Sequence, residues 1–317
     1  MPLDLAAIRA AHERIRPHIY HTPVLTNARL NAACGGKLFF KCENLQKIGA
    51  FKARGATNAV FAIAEVEALR GVATHSAGSH AAAVARAAKL RGIPAYIVMP
   101  SDAPKARIRA VEGYGGKITL CEPSPEAAEE ACAHVLETTL ASLVHPFEDE
   151  RVMAGHGTAV VELVEDVRDL DLVLCPVGGG GLLCGTAVGG KALRPELQVI
   201  GIEPAGADDA ARSFRAGHRV PPAKVETIAD GLRATMGEMN FAIARERVDN
   251  IVTVSEAAII AAMRLIWEAV KIVIEPSAAV PYAAILENKV AVANRRVGII
   301  LTGGNVELDT LPWIENP

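Results

Sequence analysis

Short apolar runs alternate with helix-length stretches from residue 71 onward, and this alternation limits the possible folds more than any other feature. Segments 71–75, 95–99 and 117–121 read as strands, with 81–91, 104–112 and 125–140 as helices between them. A second series follows: a helix over 153–167, a buried strand over 172–175, a glycine-rich loop, a helix ending at Leu193 and a strand over 198–202. Helices over 257–270 and 277–286 lead to a last apolar strand over 297–301. Upstream, 37–42 (KLFFKC) reads as a strand and the Ala-rich stretch 53–69 as a helix. Parallel strands need helical crossovers, so the expected fold is α/β, with two lobes that are each three-layer α/β/α arrangements around an open parallel sheet. The self-contained rhythm of 71–148 marks a small lobe inserted into a larger one made of 1–70 and 149–317. The stretch 218–240, rich in Pro, Gly and polar residues, is expected to be irregular and to be either a mobile or a site-covering segment.

A formal net charge of -3 leaves no basic surplus for a nucleic-acid backbone. No apolar run approaches the ~20 residues of a membrane span, and the N-terminal segment has helical rather than signal-peptide spacing. A cytoplasmic protein acting on small molecules is the expectation. The six cysteines form no CxxC pair and read as small buried hydrophobes in a reducing compartment. The nine histidines show no HExxH spacing, which argues against a zinc enzyme.

Ligands of open α/β sheets bind beyond the carboxyl ends of strands, so the loops after strands carry the information. In VLCPVGGGGLLCGTA, Gly178, Gly179, Gly180 and Gly181 precede a small-residue helix, where backbone N–H groups and the helix dipole favour a phosphate. Without a GK[ST] ending, a single phosphate fits better than a triphosphate; a tight turn and a dinucleotide loop stay open as alternatives. In CENLQKIGAFKARGATNAV, Lys52 lies among Gly49, Ala50, Phe51, Ala53 and Gly55, where desolvation would free its amine as a nucleophile, while a solvated charge at a helix start stays open as the alternative. THSAGSHAAAVARAA offers Ser76, Gly78, Ser79 and His80 to a carboxylate, and LTGGNVEL sets Thr302 after the last strand, where a hydroxyl can meet a ring nitrogen.

Together these strings resemble the serine racemase and serine/threonine dehydratase family of pyridoxal 5'-phosphate (PLP) enzymes, of the tryptophan-synthase-β-like fold type II. The similarity covers nearly the whole chain in the same order: a G-[SA]-F-K-x-R-G-A setting, an SSGNH-like loop, a GGGGL cup and an SGGN-like ending. It implies that Lys52 carries PLP as a Schiff base, that Phe51 packs by the ring, and that Gly178, Gly179, Gly180, Gly181 and Leu182 hold the phosphate. It further implies that Thr302 contacts the pyridine nitrogen, with Ser79 and Glu275 among the cofactor contacts. Substrate is expected at Ser76, Ala77, Gly78, Ser79, His80 and His156. In IEPAGADDA the resemblance implies a divalent-cation site of Glu203, the Ala207 carbonyl and Asp209, oxygen donors suited to Mg²⁺, Ca²⁺ or Mn²⁺. A homodimer is implied as well.

The chain departs from the family pattern in ways that bear on the reaction. Ala77 stands where racemising members have a serine that works on the ring face opposite the lysine, and a methyl group cannot shuttle a proton; elimination is favoured over racemisation. Ser79 replaces the asparagine that meets the cofactor's phenolic oxygen, and AGHGT replaces AGQGT, making His156 either a reader of a polar side chain or a packed neutral residue. Within the family, LFFKCEN, GAFKARGATNAVF, ADDAARSF and VGIILTGGNVELDTLPW resemble the β-hydroxyaspartate dehydratases, although Ala128 stands where those enzymes have an arginine. The expected reaction is loss of water from 3-hydroxyaspartate, serine or threonine to give a 2-oxo acid and ammonia. Racemisation, β-replacement, a nicotinamide-dependent oxidoreductase and a silent relative are the alternatives.

Overall fold

The computed structural model describes residues 3–221 and 225–314. Among these, ten strands form two sheets: β1 (Val24–Leu25), β2 (Lys37–Cys42), β3 (Val72–His75), β4 (Ala95–Pro100), β5 (Lys117–Cys121), β6 (Ser142–Leu143), β7 (Leu172–Pro176), β8 (Gln198–Pro204), β9 (Asn250–Val254) and β10 (Arg296–Leu301). The larger sheet runs β1-β2-β10-β7-β8-β9 and is parallel apart from β1, which pairs antiparallel with β2. The smaller runs β5-β4-β3-β6 and is parallel throughout.

The apolar run of β7 follows from its central position, since all five of its residues are buried and helices cover both faces of the sheet. Leu172 and Leu174 join a core with Ile259, Met263 and Tyr282, whereas Val173 and Cys175 join another with Val160, Leu163 and Leu183. The smaller sheet divides the same way, Ile97 and Met99 packing with Val60 and Ala85 while Val98 packs with Cys132.

The α/β character expected from the alternation is present, with differences that have local causes. The expected helix over 53–69 is two, Lys52–Ala62 and Glu65–Ala68, because Ile63 is extended and Arg91 donates to the carbonyls of Val60 and Ile63. Helices Ala28–Cys34, Asp209–Ala216 and Glu238–Arg247 and the strands β1, β6 and β9 add to the expected elements. The stretch 218–240 contains a 3-10 turn at Asp230–Leu232, and its last residues already belong to the helix Glu238–Arg247; residues 222–224 lie outside the described residues.

Two features fix the helix that begins at Lys52. It crosses the helix Glu150–Asp166 so closely that a Cβ on Gly155 would stand 2.6 Å from the Gly55 Cα. Beside that crossing, the fully buried Arg54 grips two carboxylates: Nε and Nη2 donate to Glu43 at 2.7 and 2.8 Å, and Nη1 and Nη2 to Glu162 at 2.7 Å each. Lys41 Nζ adds 2.7 Å bonds to Glu162 and to the Thr22 carbonyl, and Thr22 Oγ1 donates to Glu43 at 2.5 Å. Two buried cations thus meet two buried carboxylates through short charge-assisted hydrogen bonds, the condition under which buried charges are tolerable.

Burial by itself would raise the Glu162 carboxyl, but the hydrogen bonds and charges of Arg54 and Lys41 hold it down to about 2 against an ordinary 4.5. A depressed carboxyl stabilises the fold fully above its unfolded value and ceases to do so as pH falls through its folded one. Stability should therefore decline from about pH 4.5 toward 2, measured as the urea midpoint. Glu162→Gln should flatten that slope and cost about 3–5 kcal/mol at neutral pH, since it leaves buried cations under-compensated; an unchanged midpoint would contradict this account.

Candidate active site

The loops that follow β2, β3, β7 and β10 converge at the carboxyl ends of parallel strands. Lys52 is delivered there by backbone contacts between two of them. Ile48 and Gly49 both take positive φ, turning the chain so that Ala50 bridges Gly303, Phe51 N donates to the Thr302 carbonyl at 2.9 Å, and Gly304 N donates to the Gly49 carbonyl at 3.0 Å. Lys52 and Thr302, 250 positions apart, are neighbours for this reason. Lys52 Nζ donates to the Pro146 carbonyl at 2.6 Å. Burial lowers its pKa from 10.5 to about 8.

Thr302 is 3% exposed, and its Oγ1 is buried without a hydrogen-bond partner among the described residues. After β7, Gly180 at φ +93 turns the chain into the helix Gly181–Leu193, whose first turn has no side-chain cap. The glycines are there because the surroundings leave no room: a Cβ on Gly179 would fall 2.2 Å from the Phe147 ring, and one on Gly180 2.9 Å from Asn240 Cβ. Asn240 Nδ2 braces the turn by donating to the Gly179 carbonyl at 2.5 Å. Leu182 is buried beneath it.

The loop after β3 starts the helix Ser79–Arg91, again without a side-chain cap. Ser76 Oγ accepts from Gly78 N at 3.1 Å, and Ser79 Oγ accepts from Asn305 Nδ2 at 3.2 Å. Ala77 presents its carbonyl to Arg107 Nη1 at 3.4 Å. His80 is turned inward with Nε2 at 3.1 Å from the Val144 carbonyl; burial first, then the Lys52 charge, holds it neutral. His156 is fully buried, its ring 4.6 Å from that of Phe51 and its two nitrogens without hydrogen-bond partners among the described residues. Burial and then the Lys52 charge push its pKa well below 6.5. The ring is held against Phe51 in its neutral form.

Glu275 begins the helix Pro276–Leu286, accepts from Asn305 N at 3.1 Å and lies against Gly303; burial, followed by the Asp230 charge, raises it to about 7. A cleft of about 730 Å³ opens beside these loops, bounded in part by Gly78, Ser79, Arg107, Asp230 and Asn305. Arg107 and Asp230 form an ion pair across it. Pro146, Arg107, Asp230 and the role of Asn305 were not anticipated from sequence. Asn305 lies inside the LTGGNVEL string and could have been found; Arg107 and Asp230 are 123 positions apart with no motif joining them.

Glu203 and Asp209 stand apart, behind the glycine turn. Glu203 accepts from Ala210 N and Ala211 N at 3.2 and 2.7 Å, and Asp209 accepts at 3.0 Å from the backbone N–H of Met236, whose side chain abuts Gly180. Burial, then the Asp209 charge, raises Glu203 well above the usual carboxylate range. Ala207 is buried in the turn before them. Among the described residues no cluster of three or more His, Cys, Asp or Glu side chains could hold a metal ion.

A desolvated lysine, an unpartnered buried hydroxyl and a glycine cradle at a helix N-terminus fit an aldehyde, a ring nitrogen and a phosphate, the three reactive ends of PLP. Comparison with known proteins agrees. Residues 15–303 match the family model of the pyridoxal-phosphate dependent enzymes. The chain is 52% identical over 304 residues to a β-hydroxyaspartate dehydratase of Paracoccus denitrificans, covering 96% of each protein. The crystal structure of serine racemase from Dictyostelium discoideum superposes with a TM-score of 0.92 at 46% identity, covering 96% of this chain and 99% of that one. The crystal structure of a T.th. threonine deaminase gives 0.90 at 41% identity over 96% and 99% of the two chains. The expected fold type II is thereby borne out, and the chain belongs to the pyridoxal-phosphate dependent enzymes.

Proposed function

We propose that this enzyme is a dehydratase, an ammonia-lyase that removes water from a 3-hydroxy amino acid, with 3-hydroxyaspartate the first substrate to test. The observation that carries the reading is the Lys52 amine, lowered to about 8 and placed between the glycine turn and Thr302. The similarity to a β-hydroxyaspartate dehydratase supports the substrate class. Bound PLP supplies an electron sink that makes the α-proton of an attached amino acid acidic. The chain's own groups do the rest. Gly178 to Leu182 would hold the phosphate, Thr302 would meet the ring nitrogen, and Phe51, whose ring lies 4.6 Å from that of His156, would pack by the cofactor ring. Ser79 and Glu275, both hydrogen-bonded to Asn305, would be further cofactor contacts. The Ser76–His80 loop presents N–H groups to the substrate α-carboxylate. The Lys52 amine would take the α-proton and return a proton to the β-hydroxyl, which would then depart as water. The resulting enamine tautomerises and hydrolyses to a 2-oxo acid and ammonia. Ala77 supplies no acid or base to the opposite face, which favours elimination over racemisation.

We further place residues 1–70 and 149–317 in a large lobe and 71–148 in a small one, a division supported by a four-stranded sheet contained within 72–143. A homodimer and a reducing, cytoplasmic setting complete the proposal; six free cysteines suit the latter. No helix among the described residues is long and apolar enough to cross a membrane.

Incubation with 3-hydroxyaspartate, serine and threonine should release 2-oxo acid and ammonia from at least one. Lys52→Ala should remove both this activity and the visible band near ~410 nm that PLP bound to lysine gives; an active, coloured variant would refute the assignment. The rate at which apoprotein takes up PLP should rise with pH through about 8, where the Lys52 amine loses its proton, and a rise only near 10 would show that the amine is not desolvated. For the proposed Mg²⁺ site at Glu203, Ala207 and Asp209, a cation would relieve two facing buried carboxylates. Mg²⁺ should therefore raise the Tm of the wild type and not that of Glu203→Gln; equal shifts would rule the site out.

A further inference from the structure

We propose that Arg107 receives the distal carboxylate of the substrate, with Asp230 holding the guanidinium until that carboxylate arrives. The inference rests on the dehydratase reading and names what that reading lacks. An acidic 3-hydroxy amino acid has two carboxylates. The Ser76–His80 loop accounts for one, and the residue that follows CEPSPEA is Ala128, which has no group to pair with the other. Among the described residues that line the cleft, Arg107 alone is a cation.

Its position suits the task. Nη1 donates to the Ala77 carbonyl at 3.4 Å and would stand 4.0 Å from a Cβ on Gly78, so the guanidinium touches the loop that presents N–H groups to the α-carboxylate. The two carboxylates of 3-hydroxyaspartate are on adjacent carbons, which requires adjacent receptors. Nη2 donates to Asp230 Oδ2, and the two side chains keep 30% and 33% of their surface exposed. A pair this open contributes little by itself, and an incoming carboxylate can take Asp230's place on the planar guanidinium while Asp230 returns to solvent. A monocarboxylate such as serine has nothing to exchange and leaves the pair closed. The ion pair therefore works as a selector for diacids, and Asp230 supplies the competition that a weaker anion must overcome. A simple latch between the helix Lys105–Gly113 and the turn Asp230–Leu232 is the rival explanation.

The PLP-loaded enzyme separates the two. Arg107→Gln should lower the ratio of kcat/KM for 3-hydroxyaspartate to that for serine by roughly 10- to 100-fold, the effect of losing a charge-assisted hydrogen bond. Arg107→Lys should recover part of the loss. Asp230→Asn keeps the guanidinium and removes its competitor, so the same ratio should rise; a latch would make Asp230→Asn and Arg107→Gln behave alike and leave the ratio unchanged. Calorimetry with succinate, a non-reacting four-carbon diacid, and butyrate, its monoacid counterpart, reads the site without turnover. Succinate should bind the wild type and be lost in Arg107→Gln, with butyrate indifferent to the substitution. Equal succinate binding by both proteins would overturn the proposal. Succinate binding that depends on Arg107, with no 3-hydroxy amino acid turned over, would uphold Arg107 as a diacid receptor and instead refute the dehydratase reading.

Discussion

The buried Arg54 guanidinium is the contact on which the site depends. Its four bonds to Glu43 and Glu162 reach the segment after β2 and the helix Glu150–Asp166 from the helix that Lys52 begins. A planar fork can satisfy two carboxylates at once, which a lysine's point charge cannot. Lys41 supplies a second buried cation to Glu162, so the four fully buried charges balance, with the partly exposed Asp166 3.8 Å from Lys41 Nζ. The cluster's desolvation is met internally, and the start of the helix is fixed two residues from the reactive amine. The glycine contact between Gly55 and Gly155 adds a steric limit, since any side chain there would push the two helices apart.

Lys52 is treated oppositely. Its amine faces a backbone carbonyl rather than a carboxylate, so burial acts on it without an opposing charge. The same desolvation keeps His80 and His156 neutral and lifts Glu275 to about 7. Around the lysine the side chains therefore favour uncharged forms, and the strong local fields come from helix N-termini at Gly181 and Ser79. Such an environment suits a ligand that brings its own negative charge, as a phosphate or a carboxylate does, and it leaves the amine ready to react near neutral pH.

Convergence of the loops is a property of the parallel sheets. Every strand of the larger sheet except β1 points its carboxyl end the same way, so the turns after β2, β7 and β10 gather on one edge, and the loop after β3 in the smaller sheet faces them. The hydrogen bond between Asn305 Nδ2 and Ser79 Oγ is one direct tie between the two sets. Ser79, which stands where the family has an asparagine, is in the structure a partner of Asn305.

Much of this was legible in the chain itself. The short apolar runs and the helix-length stretches between them located the central strands and most helices, because a strand covered on both faces has to be apolar throughout, as β7 is. GGGGLL announced its cradle, since only glycine tolerates φ +93 beside Asn240. The division of the 53–69 segment escaped notice because Arg91, remote in sequence, takes the carbonyls that would have continued the helix. The sequence by itself determined the α/β alternation and the glycine turn, because these are local requirements of backbone geometry or of an element's buried face, and it pointed to the lysine and the threonine through the resemblance that their motifs carry together. Only the tertiary structure decided that Arg54 anchors the lysine, that His156 packs against Phe51, and that Arg107 meets Asp230 across the cleft. Those are pairings of charge and shape between distant segments, and their strength depends on a burial that does not exist until both sheets are formed.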